Sequence, residues 1–351
     1  MHHDVIVVGA GIAGLALARG LRARGCAPVV LERARGVGGR CATRRVESQP
    51  VDHGLPYLHG RSPRFLAELD ALPHATALPG WPQVVVGDGL PCRPEAFSGT
   101  DCRLALGDGA SRFAKHLAEG LDVRLGATVT ALRPLPRAAA GSGGACELRL
   151  ASGETMRANA VALTLPASSA ITLLRAMDAL PPAVAAQLPL LRMVRMLPCL
   201  AVIARYPAGV PAPEWQASFP AAGRAIHSIL HDSSKRAGAV RLTLVLQARP
   251  GFSNAHLNDS PDSWTRAMLE EAAALHGAWV AQPELAQSHV WREARVAAAS
   301  ELSGPLAIRL DEGALLGVAG DGLHYAGGLE GAFLSGIALA DRFAEMLPIP
   351  W

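Results

Sequence analysis

Residues Asp4 to Arg40 read DVIVVGAGIAGLALARGLRARGCAPVVLERARGVGGR, and this stretch decides the fold. Val5-Ile6-Val7-Val8 has the apolar character of a short buried strand. Gly9-Ala10-Gly11-Ile12-Ala13-Gly14 follows, then a helix, then a second strand, Val29-Val30-Leu31, that stops at Glu32. Such an order suits a βαβ unit that holds a dinucleotide. The first glycine permits the tight turn, the second lets a pyrophosphate approach the backbone, and the third lets helix and strand pack closely. The helix offers free N–H groups and the positive end of its dipole to the phosphates. Glu32 lies 18 residues past Gly14, near the spacing at which an acid accepts hydrogen bonds from a ribose hydroxyl.

Three further signals narrow the nucleotide. Gly38-Gly39-Arg40 sits just past Glu32, where a second glycine pair can wrap the pyrophosphate and Arg40 can offer a fork of donors. Near the other end, the strand Ala314–Val318 leads into Gly320-Asp321, a carboxylate at a strand end suited to ribityl hydroxyls. Gly331-Ala332 then stands at the start of a helix running to about Met346, whose dipole and N–H groups would stabilise a reduced flavin ring. Each signal alone also fits a glycine turn, a helix-cap aspartate or an ordinary core helix. Together they point to FAD.

The intervening chain divides by composition. Arg44 to Pro63 is polar and rich in Gly and Pro, and reads as loop; Ser62 to Leu72 reads as a short helix. Residues 73–103 promise only short strands such as Gln83–Val86. A helix is expected from Ala110 to Gly120. Strands are expected at Val123–Leu125, Thr128–Leu132, Cys146–Leu150, Thr155–Arg157 and Val161–Leu165, with a linker at Ala138–Gly144 and a turn at Ser152-Gly153. Helical spacing near Ile171–Met177 precedes strands at Leu200–Arg205, Ala225–His231 and Val240–Gln247, then a helix from Pro261 to His276 capped by Ser260. The expected fold is α/β: a Rossmann-like FAD-binding domain made of 1–60, 104–166 and 288–351, interleaved with an α+β substrate domain made of 61–103 and 167–287.

With 351 residues, half of them apolar and 18% charged, the chain suits a well-buried enzyme of two domains. A net charge of +3, without a Lys/Arg block or aromatic ladder, gives no sign of nucleic-acid binding. The longest apolar stretches, such as Met196–Ala204, are half of a membrane span. The six cysteines lack C-x-x-C spacing and read as reduced thiols, and no metal site is expected. The nucleotide fold starts four residues from the N-terminus, so a cytoplasmic protein without a secretory signal is the expectation.

At this point the chain resembles the renalase family, a branch of the flavin amine oxidase superfamily with a two-domain, p-hydroxybenzoate-hydroxylase-like fold. The resemblance rests on Gly36–Arg45 (GVGGRCATRR), Val51–Phe65 (VDHGLPYLHGRSPRF), Ile229–Arg236 (ILHDSSKR), Gly251–Pro261 (GFSNAHLNDSP), His289–Ala294 (HVWREA) and Gly320–Gly336 (GDGLHYAGGLEGAFLSG). It implies a flavin oxidase that takes hydride from an isomeric dihydronicotinamide nucleotide and passes the electrons to O2 as hydrogen peroxide. It also implies that Gly9, Gly11, Gly14, Glu32, Gly39 and Arg40, with Ile12, Ala13 and Arg33 beside them, hold the AMP and pyrophosphate of FAD. Val129 would touch the adenine through its backbone, and Gly320, Asp321, Gly331 and Ala332 would hold ribityl and ring. Two stretches depart from the family: Gly54-Leu55-Pro56 stands before Tyr57 in place of Gly-Ala-Gln, and Gly107–Arg112 (GDGASR) is more polar.

Hydride loss from a reduced dihydropyridine needs no base at carbon, so the absence of a catalytic triad fits this reading. Tyr57, His59, Trp291 and His324 are the pocket candidates, able to stack on or hydrogen-bond to a ring, or else amphipathic residues at the core edge. Lys235 reads as an exposed loop lysine, and His256 and His289 as structural histidines. No cysteine follows Cys199, so a non-covalent flavin is expected. Two alternatives remain. One is an amine oxidase or desaturase on the same scaffold, although 5% aromatic residues is little for an aromatic cage. The other is a flavin-binding redox sensor without turnover.

Overall fold

A computed structural model describes residues 2–99, 101–135, 145–311 and 313–347. The linker expected at Ala138–Gly144 lies outside them. The chain forms two compact units: Met1–Gly39, Phe113–Met196 and Val296–Trp351 make the first, and Arg40–Arg112 with Leu197–Arg295 the second.

The first unit is built on the opening strand, His2–Val8, which is parallel to Val29–Glu32 on one side and to Thr155–Leu163 on the other. Val5, Ile6 and Val7 are fully buried, as expected of a central strand with both faces covered. The strand Thr155–Leu163 is continuous, where the residue pattern suggested two pieces. Its alanines, Ala158, Ala160 and Ala162, are small but fully buried, so a stretch of weak strand propensity is held by packing. Its first half is antiparallel to Ala145–Leu150, and its second half is parallel to Leu315–Val318.

One face of this sheet is covered by the helices Ala167–Arg175, Pro182–Ala185 and Leu188–Met193, whose Leu173, Leu174, Val184 and Leu191 share a core with Leu148, Val161 and Leu316. That shared core is why 167–193 belongs to this unit. Helices Ile12–Arg22 and Gly328–Met346 pack against one another. A Cβ on Gly336 would lie 2.2 Å from the Ala13 carbonyl oxygen, and one on Gly20 would lie 2.9 Å from the Ala340 Cβ. The glycines let the two helix backbones approach closely.

The second unit has a six-stranded sheet in the order Leu285–Val296, Met196–Arg205, Thr243–Ala248, Ile226–His231, Ala217–Ser218, Val85–Val86. Helix Pro261–His276 covers one face through Trp264 and Met268, packed on Leu200, Val202, Leu244 and Leu246. Ser260 stands at its N-cap without a side-chain capping bond; the Ser263 hydroxyl donates to the Ser260 carbonyl instead, at 2.8 Å. The other face meets Val46, Val51, Tyr57, Trp81 and Phe219.

Arg44 to Pro63 is therefore not loop. It holds a hairpin, Thr43–Val46 with Gln49–Asp52, and a strand, Leu58–Gly60, paired with Cys102–Leu106. Polar composition concealed a structured segment because its anchor is ionic. Asp52 is 1% exposed, and its carboxylate meets Lys235 Nζ at 2.7 Å and Arg236 Nη2 at 2.8 Å. Asp232 binds the same two cations, at 2.7 and 3.0 Å. Lys235, read from sequence as exposed, is 3% exposed. Its remaining donor capacity goes to the Pro56 carbonyl at 3.0 Å, and its ammonium lies 4.8 Å from the Trp81 ring centre.

Burial alone would raise the Asp52 carboxyl; Lys235 and then Arg236 overcome it and hold the group at about 2. Because this folded value lies below the ordinary carboxylate value, the stabilisation is complete above about pH 4 and is lost as pH falls toward the folded value. Asp52→Asn leaves two buried cations sharing one carboxylate, and should cost about 3–5 kcal/mol in urea unfolding at neutral pH. The wild type's advantage over Asp52→Asn should shrink on acidification below about pH 4.

Candidate active site

In the first unit the glycine-rich loop has the geometry of a phosphate cradle. Gly9 has φ of +107°, which favours glycine, and a Cβ on Gly14 would lie 2.1 Å from the Gly9 carbonyl oxygen. Gly11 is the N-cap of helix Ile12–Arg22 and has no side-chain cap; a Cβ placed on it would meet no other part of the chain within 4 Å. The first-turn N–H groups, which lack partners within the helix, thus start beside open space. Ile12, Ala13 and Gly14 are buried in this turn.

Glu32 is 9% exposed and accepts hydrogen bonds from the Ala10 N–H and the Ala34 N–H, each at 2.8 Å, one on each carboxylate oxygen. Each oxygen keeps a second acceptor site for a ribose hydroxyl. Gly38 N–H donates to the Ala10 carbonyl at 2.8 Å, bringing the Gly38-Gly39 turn back to the first loop. A Cβ on Gly39 would come 3.8 Å from the Gly11 Cα. Ala127 N–H donates to the Glu32 carbonyl, which places half-buried Val129 just beyond the end of the second strand. Arg33 is exposed, and Arg40, the first residue of the second unit, reaches the Ala294 carbonyl at 3.4 Å.

Asp321 is 6% exposed, just past strand Leu315–Val318, and the preceding Gly320 N–H is held by the Ser335 hydroxyl at 3.2 Å. The last helix starts at Gly328, within the run Gly327–Ala332 expected to open it. Gly331 N–H is already bonded to the Gly327 carbonyl at 2.8 Å, so the N–H groups without helical acceptors include those of Gly328 and Leu329, not those of Gly331 and Ala332. Gly331 instead keeps the turn tight, since a Cβ there would lie 3.3 Å from the Ala326 carbonyl carbon and 3.5 Å from the Asp321 carbonyl oxygen. His324 accepts the Ala326 N–H on Nδ1 at 3.2 Å and stacks on exposed Tyr325 at 4.4 Å. Burial lowers its pKa. The open phosphate cradle, the anchored acid and the uncapped helix ends fit FAD.

The pocket candidates separate into groups. Tyr57 is 8% exposed, with its ring 6.3 Å from those of His59 and Trp81 and 5.9 Å from that of Phe97; burial raises its pKa. Trp291 belongs to another group. Its Nε1 donates to the His53 carbonyl at 3.1 Å, and its ring lies 5.1 Å from that of His53 and 4.3 Å from that of His289. Arg44 approaches His289 Nδ1 at 3.2 Å. Gly54 must lack a side chain here, because a Cβ would lie 2.4 Å from the Arg40 carbonyl oxygen and 3.1 Å from the Trp291 ring. Burial, then His289 and Arg44, lower the His53 pKa to about 4; burial, then Arg44, lower that of His289. Both imidazoles are neutral at physiological pH.

His53, Arg44 and Arg295 were not singled out from sequence. A signal existed: in strand Leu285–Val296, alternation puts Gln287, His289, Trp291 and Arg295 on one side. Of the other candidates, His256 is a surface residue paired with Asp259 at 2.7 Å. Among the described residues no cluster suits a metal ion, and no helix is long and apolar enough to cross a membrane.

Known proteins agree with this fold. An NAD(P)-binding Rossmann-like domain profile matches residues 7–72, and the profile of the flavin containing amine oxidoreductases matches residues 94–343. The second match spans well over half of the chain, which therefore belongs to that family and is an FAD-dependent oxidoreductase acting on a small molecule. Among solved structures, wild-type putrescine oxidase bound to putrescine is similar at 16% identity and a TM-score of 0.69, covering 98% of this chain and 99% of its own. A provisionally assigned protoporphyrinogen oxidase from Exiguobacterium sp. 255-15 is similar at 15% identity and 0.72, and cyclohexylamine oxidase from Brevibacterium oxydans IH-35A at 15% and 0.67, with the same coverage. At such identities these likenesses establish the fold alone. No curated protein matches by sequence.

Glu32→Ala removes the acceptor of two backbone N–H groups and, if the acid faces the ribose as its spacing suggests, a ribose partner. Purified Glu32→Ala protein should retain FAD about 10- to 100-fold more weakly in equilibrium dialysis, the scale of one charged hydrogen bond. Unchanged FAD affinity would contradict the assignment of the ribose to Glu32.

Proposed function

We propose that the protein is a renalase-like oxidase, which takes hydride from an isomeric dihydronicotinamide nucleotide and passes the electrons to O2. The observation that carries this reading is the electrostatics around Trp291. The indole is flanked by two imidazoles held neutral and by the Arg44 guanidinium beside His289. A cation here opposes a protonated amine, while flat aromatic faces suit a neutral dihydropyridine ring.

FAD supplies the hydride acceptor when bound. The residues from Gly9 to Gly14 with Glu32, Arg33, Gly39 and Arg40 would bind its AMP and pyrophosphate non-covalently, Val129 would line the adenine, and Gly320, Asp321 and the turn before Gly331 and Ala332 would hold ribityl and ring. Trp291 and His53 orient and desolvate the substrate ring. No proton need leave carbon, so Asp52, the carboxylate next to His53 in sequence, is free to serve as a structural anion. Tyr57 packs with His59, Trp81 and Phe97, and His324 fixes the loop before the last helix.

Anaerobic addition of borohydride-generated NAD(P)H isomers should bleach the flavin spectrum, and readmitted air should restore it with release of hydrogen peroxide. Putrescine and simple monoamines should leave the flavin oxidised. Bleaching by an amine and not by the isomers would replace this reading with amine oxidation, to which the family name lends support. Trp291→Ala should lower kcat/KM for the isomers by about tenfold or more, the worth of an aromatic contact of about 1.5 kcal/mol.

A further inference from the structure

Away from Trp291, the second unit gathers Arg295, Arg249, His227 and Cys92. Cys92 Sγ lies 2.8 Å from His227 Nε2 and accepts a hydrogen bond from Arg295 Nη1. Arg295 is half-buried, and this thiol is its one hydrogen-bond partner among the described residues. A sulfur is a weak acceptor for a guanidinium that carries five N–H donors. Arg249 is also half-buried; its Nη2 donates to the Pro220 and Ala221 carbonyls, at 2.7 and 3.2 Å, while its buried Nε has no partner. Neither guanidinium pairs with a carboxylate among the described residues.

The shape of the place is equally informative. Cys92 is exposed to solvent, yet the protein around it desolvates its thiol and raises the pKa. The thiol bridges His227, on strand Ile226–His231, and Arg295, on strand Leu285–Val296. Burial, followed by the charges of Arg295 and Arg249, lowers the His227 pKa to about 4; Arg249 directly follows Ala248, which pairs with Ile226, the residue before His227. Two half-buried guanidinium groups that pair with no carboxylate among the described residues keep donors for an oxyanion.

We propose that Arg295 and Arg249, with His227 and Cys92 between them, form a phosphate-binding subsite for the substrate. Two guanidinium forks suit the several oxygens of a phosphate group. The site deepens the nucleotide reading and rests on it for the identity of the substrate, though not for the existence of the subsite. Its occupant is a phosphate monoester or diester, and in a dihydronicotinamide nucleotide that is the group remote from the reacting ring.

The test uses the FAD-loaded protein and needs no turnover. Cys92 is alkylated with N-ethylmaleimide, with Cys102, the other exposed thiol, as internal control, and labelling is followed by peptide mass spectrometry. Inorganic phosphate, against sodium chloride of equal ionic strength, should slow labelling of Cys92 about fivefold at a few times its dissociation constant and leave Cys102 unaffected. Arg295→Gln and Arg249→Gln should each lose most of that protection. Equal labelling of wild-type Cys92 with and without phosphate, up to tens of millimolar, would overturn the proposal without recourse to any variant. Protection by NAD+ at lower concentration than by phosphate supports a nucleotide as the occupant. Protection without bleaching by the NAD(P)H isomers leaves the subsite standing and removes only that substrate, whereas bleaching without protection removes only the subsite.

Discussion

Four charges buried together, Asp52, Asp232, Lys235 and Arg236, fix the register of the second unit around one ionic anchor. They join the Thr43–Asp52 hairpin to the turn after strand Ile226–His231, positions about 180 residues apart in sequence. The hairpin's own register depends on the same anion, since Asp52 Oδ1 accepts the Thr43 hydroxyl at 2.7 Å and the Ala110 N–H at 2.9 Å. Apolar residues of equal volume could match the stability of such a network. They could not match its directionality, because each carboxylate oxygen meets a particular donor. The chain from Arg40 to Tyr57 leaves this anchor in one register, and Gly54, His53 and Trp291 meet as a consequence.

Legibility followed locality. The unit from Val5 to Glu32 was plain in sequence because every requirement is met within thirty residues: the glycines by backbone geometry, the acid by spacing, the strand by burial. The structure adds one thing there, the pair of N–H groups on Glu32. The hairpin at Thr43–Asp52 was misread because its polar residues are satisfied by partners far away, which composition cannot show. Lys235 was misread for the same reason: a lone lysine in a Ser-rich turn looks solvated until two aspartates are found around it. The last helix opens where its glycine run begins, because Gly327 and Gly328, both at positive φ, make the entry turn.

The histidines show how burial and charge together set a chemical character. His53, His227 and His289 are all lowered, first by burial and then by neighbouring positive charge or by one another. Neutral imidazoles of this kind donate and accept hydrogen bonds but do not add positive charge. Carboxylates such as Asp52, Asp232, Glu284 and Glu271 are committed to structural partners, while the Arg44 guanidinium stands beside His289. In the proposed reading, that cation opposes a protonated amine and attracts an anionic nucleotide.

Glu32 couples the fold to the cofactor in a similar way. A carboxylate that did nothing but bind ribose could be replaced at the cost of affinity alone. Here its two oxygens also hold Ala10, inside the glycine loop, and Ala34, at the exit of the second strand, while its carbonyl accepts Ala127. Gly38 returns to the same Ala10. The glycine loop and the acid proposed to face the ribose are therefore one hydrogen-bonded piece, and the loop keeps its shape before any nucleotide arrives. Preorganisation of this kind lowers the ordering cost of binding, so affinity for FAD depends on backbone bonds that make no contact with it.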